Sequence, residues 1–394
     1  MMIEALQMNN EMFTAWRRDI HRHPELGFEE FRTANLVAEK LRAWGVDEVH
    51  TGIAKTGVVG VLKGRQASSR AIGLRADMDA LPMDEANQFD YASCHQGKMH
   101  GCGHDGHTAI LLAAAWYLSQ QRNFSGTVYF IFQPAEEGLA GAKVMVEEGL
   151  FQRFPCDRIY GLHNMPGIPQ GKIWFREGPL LASSDRFVIE ITGRGGHAAM
   201  PHMATDPTIV LSNIIMAAQT IISRNMSPLD AAVISFTDVH AGSGTHNVIP
   251  DHASLKGCLR AFDEHVRRES IERLGRLVGQ VAASYGASAE FIVKPGSYPA
   301  TVNDKGAVAV AKSAADAVVG CDSVDAKCLP LSGSEDFSFM LQQVPGCYVL
   351  VGNGSEGSRG GISVHNPSYD FNDEIIPVGA SFFVEVIQQE LAIK

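Results

Sequence analysis

Residues 99–107 read MHGCGHDGH. One glycine-rich turn thus carries the thiol of Cys102, the imidazoles of His100, His104 and His107, and the carboxylate of Asp105. A thiolate and imidazoles at this spacing suit a late first-row divalent metal by softness and geometry. The glycines let the backbone fold tightly enough to aim several side chains at one point. A closed structural zinc site would need a second cysteine nearby, and none is there. Cys102 acting as a nucleophile with a histidine base is the competing chemistry.

A second cluster is Glu136-Glu137 in FIFQPAEEG. Adjacent carboxylates repel, so one tends to keep its proton unless a cation intervenes. The pair suits a division of labour in which one ligates metal and the other moves a proton. Arg75, Asp77 and Asp79 in GLRADMDALP, His163 in YGLHNMPG and His365 in SVHNPSYDF complete the set. A lone histidine is more often structural than catalytic, and a lone acidic turn more often solvated. Only the residues as a set point to a metal centre.

These residues need elements to position them. The first part of the chain alternates strand and helix patterns. Gly57 to Leu62, Ala71 to Met78, Thr127 to Gln133 and Ile159 to His163 read as strands, and His107 to Gln120 as a helix. The reactive clusters fall at strand ends, where open α/β sheets place their sites. From about Phe187 to Lys294 the order becomes β-α-β-β-α-β, a ferredoxin-like pattern. The predicted organisation is an α/β catalytic domain, 1–184 and 296–394, with a mixed sheet and helices on both faces. A ferredoxin-like α+β lid and dimerisation domain, 185–295, is inserted into it.

Composition excludes other classes. The chain of 394 residues is 45% hydrophobic and 20% charged, which is ordinary for a globular protein and too long for one core. The net charge of -11 argues against nucleic acid and anionic membranes as partners. The apolar run Thr108 to Leu118 is too short to span a bilayer, and the N-terminus lacks a signal-peptide core. The seven cysteines are odd in number and form no CxxC pair, so a reducing, cytoplasmic compartment is expected.

Taken together, HRHPELGFEE, RADMDALP, MHGCGHDGH, QPAEEG, GLHNMPG, GRGGHAAMPH, HNVIPD, SGSEDF and HNPSYDF resemble, in order and over nearly the whole chain, one family. It is the dinuclear metallopeptidase and aminoacylase family. The closer similarity is to its amidohydrolase branch, which contains hippurate hydrolase and the indoleacetyl-amino-acid hydrolases. The resemblance implies that Cys102, His104, Glu137, His163 and His365 are metal ligands, with Cys102 bridging where the peptidase branch uses Asp. It implies Glu136 as general base and Asp77 as its supporting carboxylate. Arg75 stands where that branch has a metal-binding His, and His104 supplies the replacement imidazole. His197 matches a residue that reaches the partner's active site in a homodimer, and Asn247 and Arg260 match substrate contacts. Ser334, Glu335 and Asp336 match a motif of unassigned role.

The reaction so implied is hydrolysis of an N-acyl amino acid by a water shared between two divalent cations. Zinc and manganese are the expected metals, and the ligand set also admits cobalt and nickel. The rival within the family is a dipeptidase or carboxypeptidase. Rivals of other classes are a cysteine hydrolase using Cys102 and a non-enzymatic binding module. The acyl group and the amino-acid preference are left open.

Overall fold

The computed structural model describes residues 2–242 and 244–393. The chain divides into two compact units, Met1–Leu180 with Val302–Leu329 and Asp336–Lys394, and Leu181–Thr301 with Pro330–Glu335.

The first unit is built on an eight-stranded mixed sheet. Its order is Glu48–Ile53, Gly57–Lys63, Ser125–Gln133, Gln66–Asp77, Arg158–Pro166, Gly346–Gly354, Ile173–Trp174 and Val324–Asp325. The middle of the sheet is parallel: Gln66–Asp77 pairs with Ser125–Gln133 on one side and Arg158–Pro166 on the other. Strands covered on both faces should be apolar throughout, and GVVGVLK at Gly57–Lys63 is buried except at its last residue.

On one face lie the helices His104–Gln121 and Ile376–Glu390, flanked by Asn10–Arg22, Phe31–Ala43 and Lys305–Val319. His104–Gln121 is buried almost all round, and its alanines let its neighbours approach closely. On the other face lie Gly141–Glu147 and Phe337–Leu341. After Gln66–Asp77 the chain returns on one side of that strand as Ser125–Gln133, then crosses to its other side as Arg158–Pro166. This reversal opens a crevice beyond the carboxyl ends of the strands, where Asp77 and Gln133 sit in register.

The second unit is a four-stranded antiparallel sheet in the order Ala232–Ala241, His252–Ala261, Asp185–Thr192, Ser288–Val293. The helices Pro207–Thr220 and Glu264–Ser284 share one hydrophobic core with it. This is the ferredoxin-like arrangement. Both helices begin where side-chain chemistry dictates. Asp206 accepts the Thr208 N–H at 2.9 Å ahead of Pro207, and Asp263 accepts those of His265 and Val266 at 2.8 and 3.0 Å. The entry and exit of this unit are tied together, because Ser184 and Tyr298 exchange two backbone hydrogen bonds of 2.8 Å.

No helix among the described residues is long and apolar enough to cross a membrane.

Candidate metal centre

The Met99–His107 turn is shaped by close approach. Gly103 has φ 88°, and a Cβ there would overlap the Asn164 side chain and the Tyr369 hydroxyl. The turn delivers Cys102 and His104 to the start of the buried helix. Cys102 Sγ lies 3.4 Å from His163 Nε2. His163 Nδ1 faces the Asn164 carbonyl oxygen at 2.5 Å, which places the proton on Nδ1 and leaves the Nε2 lone pair directed at the sulfur. His104 Nδ1 lies 3.2 Å from Asp79 Oδ1, whereas its Nε2 is buried with no hydrogen-bond partner among the described residues. His365 is held at φ 61° by its backbone N–H, which donates to the Gly101 carbonyl at 2.7 Å. Its Nε2 lies 3.2 Å from Glu137 Oε1.

Two groups of three donors result, Cys102 with His104 and His163, and Cys102 with Glu137 and His365. Within each group the donor atoms lie within 4.8 Å of one another, and the two groups share one sulfur. His104, Glu136 and Glu137 form a third such group. The orphaned His104 Nε2 and the shared thiol fit a pair of divalent cations held by the residues present.

A second layer orients these donors. Asp79 uses one oxygen for His104 and accepts the Glu137 backbone N–H at 2.9 Å with the other. His107 also approaches His104 and Asp77, but both its nitrogens are committed. Nδ1 donates to Asp77 Oδ1 at 2.6 Å and Nε2 accepts the Asn164 N–H at 2.9 Å. His107 is therefore a support for the centre. Asn164 donates to the Cys102 carbonyl at 2.7 Å and accepts from Tyr369 Oη at 2.7 Å. The buried Arg75 guanidinium reaches Gln133 at 2.7 Å, Asp77 at 2.8 Å and Asp336 at 3.1 Å. Asp336 also accepts from Gln133 and from the Ala142 N–H, and its own N–H donates to Glu136 Oε1 at 3.3 Å.

Burial and charge act against each other here. Burial pushes the Cys102 thiol up, and Glu137 adds to this. Hydrogen bonds to Cys102 and Glu137 push His365 up to about 10. Burial and the neighbouring His107 hold His163 well below the usual imidazole range. For His104 burial is outweighed by the charges of Asp77 and Cys102, and its affinity for a proton rises. Asp77, although buried, is held well below the carboxylate range by His104, His107 and Arg75. Protons thus compete for the donor atoms a cation would take, and metal affinity should rise with pH.

The remaining predicted residues lie in the second unit. His197 is exposed on the two-residue strand Gly196–His197, which pairs with Val248–Ile249; Asn247 immediately precedes the latter, and its carbonyl accepts the Ala198 N–H at 3.0 Å. Arg260 is on the strand His252–Ala261 and lines a cavity with Asp230, Val233, Ser235, Phe262 and Ser332. Its Nη1 is buried without a hydrogen-bond partner among the described residues.

Several contributors carried no signal of role in the sequence. Asp79 was readable as a carboxylate poised for metal or supporting work, whereas His107 stood only as one of the imidazoles of its turn. Asp336 lies 203 positions from Gln133 and 261 from Arg75 along the chain, and only folding joins them. Beneath the helix that starts at His104, Arg17 donates to Asp373 at 2.8 Å, and His21 contacts Asp105 at 2.8 Å and Glu85 at 3.2 Å. Glu30 accepts the Ala135 N–H at 2.8 Å and the Thr56 hydroxyl at 2.6 Å.

Residues 73–389 match the model of peptidase family M20/M25/M40. A hippurate hydrolase of Campylobacter jejuni is 42% identical, the match covering 97% of each chain. An N-acetylcysteine deacetylase of Bacillus subtilis is 41% identical over 94% of each. The crystal structure of a dinuclear metal-binding peptidase from the M20 family, also of Bacillus subtilis, superposes with a TM-score of 0.83 at 36% identity. That superposition covers 98% of this chain and 99% of the other.

Proposed function

The chain belongs to peptidase family M20/M25/M40, and from that premise we propose that it hydrolyses the amide bond of N-acyl amino acids with two divalent cations. The observation that carries this reading is the pair of donor groups sharing the Cys102 sulfur, with buried Glu136 beside them. Cys102, His104, Glu137, His163 and His365 would hold the cations. When bound, such cations make a water acidic near neutral pH and polarise a carbonyl.

The chain supplies the rest. Glu136, steadied by the Asp336 N–H, takes the water's proton and passes it to the departing amine. Asp77, in its sheath of Arg75 and His107, presents a fixed negative charge to His104. Arg260 has a guanidinium nitrogen to spare for a substrate carboxylate, and Asn247 is its proposed companion. His197 donates to the developing oxyanion of the partner protomer in a homodimer, with the second unit as lid and dimer platform. Zinc and manganese are the proposed metals, on the mixed thiolate, imidazole and carboxylate set. A reducing, cytoplasmic setting fits the seven free cysteines.

The test is a panel of acetyl, benzoyl, succinyl and indoleacetyl amino acids, with dipeptides as comparison. Free amine is followed with added zinc or manganese. Release from the N-acyl compounds is expected. Cleavage of dipeptides with the N-acyl compounds untouched would move the assignment to the peptidase branch. A metal-replete protein inert toward the whole panel would leave a binding module.

A further inference from the structure

The first unit holds a second convergence of metal-type donors, made of residues with no part in the centre above. His23 ends the helix Asn10–Arg22, and its Nδ1 lies 3.3 Å from Cys94 Sγ and 3.3 Å from His95 Nε2. All three donor atoms lie within 4.8 Å of one another. We propose that His23, Cys94 and His95 form a surface site for one zinc-class divalent cation, with water as the fourth ligand.

Spacing is the first argument. Nitrogen and sulfur ligands bound tetrahedrally to one zinc stand about 3.3–3.6 Å apart, as bond lengths of about 2.0–2.3 Å require. The His23–His95 separation matches the nitrogen–nitrogen edge, and the His23–Cys94 separation falls about 0.2–0.3 Å inside the nitrogen–sulfur one. The second argument is convergence. The Cys94 thiol has the Arg22 carbonyl oxygen as a hydrogen-bond acceptor at 3.0 Å, yet its sulfur and the His95 ring also stand at the same His23 nitrogen.

The third argument is pre-organisation by the backbone. The Cys94 N–H donates to the Arg22 carbonyl at 3.0 Å, which fastens the loop to the helix end. Ser93 accepts the His95 N–H at 3.2 Å and donates to the Lys98 carbonyl at 2.7 Å, and its own N–H is held by Glu85 at 2.6 Å. The donors therefore meet without ordering a flexible segment. Cys94 and His95 are exposed, so an ion can arrive from solvent, and the thiol releases its proton to solvent on binding. The bound ion would staple the helix end to the 93–95 loop.

The experiment begins with the metal-replete enzyme, freed of excess metal and titrated with Zn2+ by calorimetry and elemental analysis. One further equivalent per chain is expected beyond the content of the centre. Zn2+ should slow iodoacetamide labelling of Cys94 at least ~10-fold while leaving the exposed Cys321 unchanged as an internal control. Cys94→Ser and His95→Ala should each weaken the extra site at least ~10-fold and keep the activity and metal content of the centre. Absence of the extra equivalent, equal uptake by wild type and both variants, or unchanged Cys94 labelling would each overturn the site. Because amide hydrolysis is assayed separately, failure here is distinct from failure of the proposed function.

Discussion

Glu30 accepts the backbone N–H of Ala135 at 2.8 Å, one residue before the proposed base Glu136. Ala135 sits at φ 54°, a left-handed conformation that a residue with a Cβ adopts only under constraint. Burial pushes the Glu30 carboxyl up to about 7, against the pull of its hydrogen bond from Thr56. Glu30→Gln keeps an acceptor and should leave kcat within about threefold, while Glu30→Ala should lower it at least ~10-fold with metal content unchanged. Steady-state kinetics with elemental analysis read this directly. Equal, near-wild-type rates for both variants would remove Glu30 from any positioning role.

Glu136→Gln is expected to keep both metals and lose about a hundred- to ten-thousand-fold in kcat, the range for removing a general acid–base. The substitution preserves shape and the acceptor facing the Asp336 N–H, so folding should be intact. A variant turning over at the wild-type rate would show that the proton travels by another group.

Cys102 belongs to both donor groups, so its loss should be felt at both metals. Cys102→Ser should fall below two metals per chain and be inactive at metal concentrations that saturate the wild type. Cys102→Asp should recover part of the metal content, since a carboxylate can also bridge. Loss of a single metal with the other held at full affinity would argue against a shared sulfur.

His21 gives a pH signature in stability. Burial alone would lower its pKa, but the charge and hydrogen bond of Asp105 and the bond to Glu85 prevail, and it is pushed up from 6.5 to about 9. The folded form holds the proton more tightly than the unfolded chain. This contribution is therefore fully present below about pH 6.5 and is lost as pH rises through about 9. At most about 3 kcal/mol is at stake. Urea unfolding of wild type and His21→Gln at pH 6.5 and 9.5 should show the wild type losing more stability than the variant. Parallel losses would assign the pH dependence elsewhere.

The sequence was most legible where chemistry is local. MHGCGHDGH put a thiol and imidazoles within one turn, and periodicity marked the strands that carry Asp77 and His163 and the one that leads into Glu136. Glu137, His163 and His365 could be named beside Cys102, and the fold brings all four together. Supporting contacts were less legible, because they join residues that no spacing rule connects. The turn offers His107 beside His104 with nothing in the spacing to tell them apart, and it is the bonds to Asp77 and Asn164 that occupy both His107 nitrogens. Asp336 had no readable role until Arg75, Gln133 and Ala142 were found on its carboxylate. The His23–Cys94–His95 convergence spans 71 and 72 positions, so the sequence offered only scattered polar residues there.

The paired hydrogen bonds between Ser184 and Tyr298 make residues 184–298 a cassette whose two seams meet at one point. Such a segment can be exchanged between relatives with both junctions cut at that pair, leaving the cation-holding frame unaltered. Such an exchange would carry His197, Asn247 and Arg260 across together while Pro330–Glu335 stays with the recipient, and it need not touch the turn that carries Cys102.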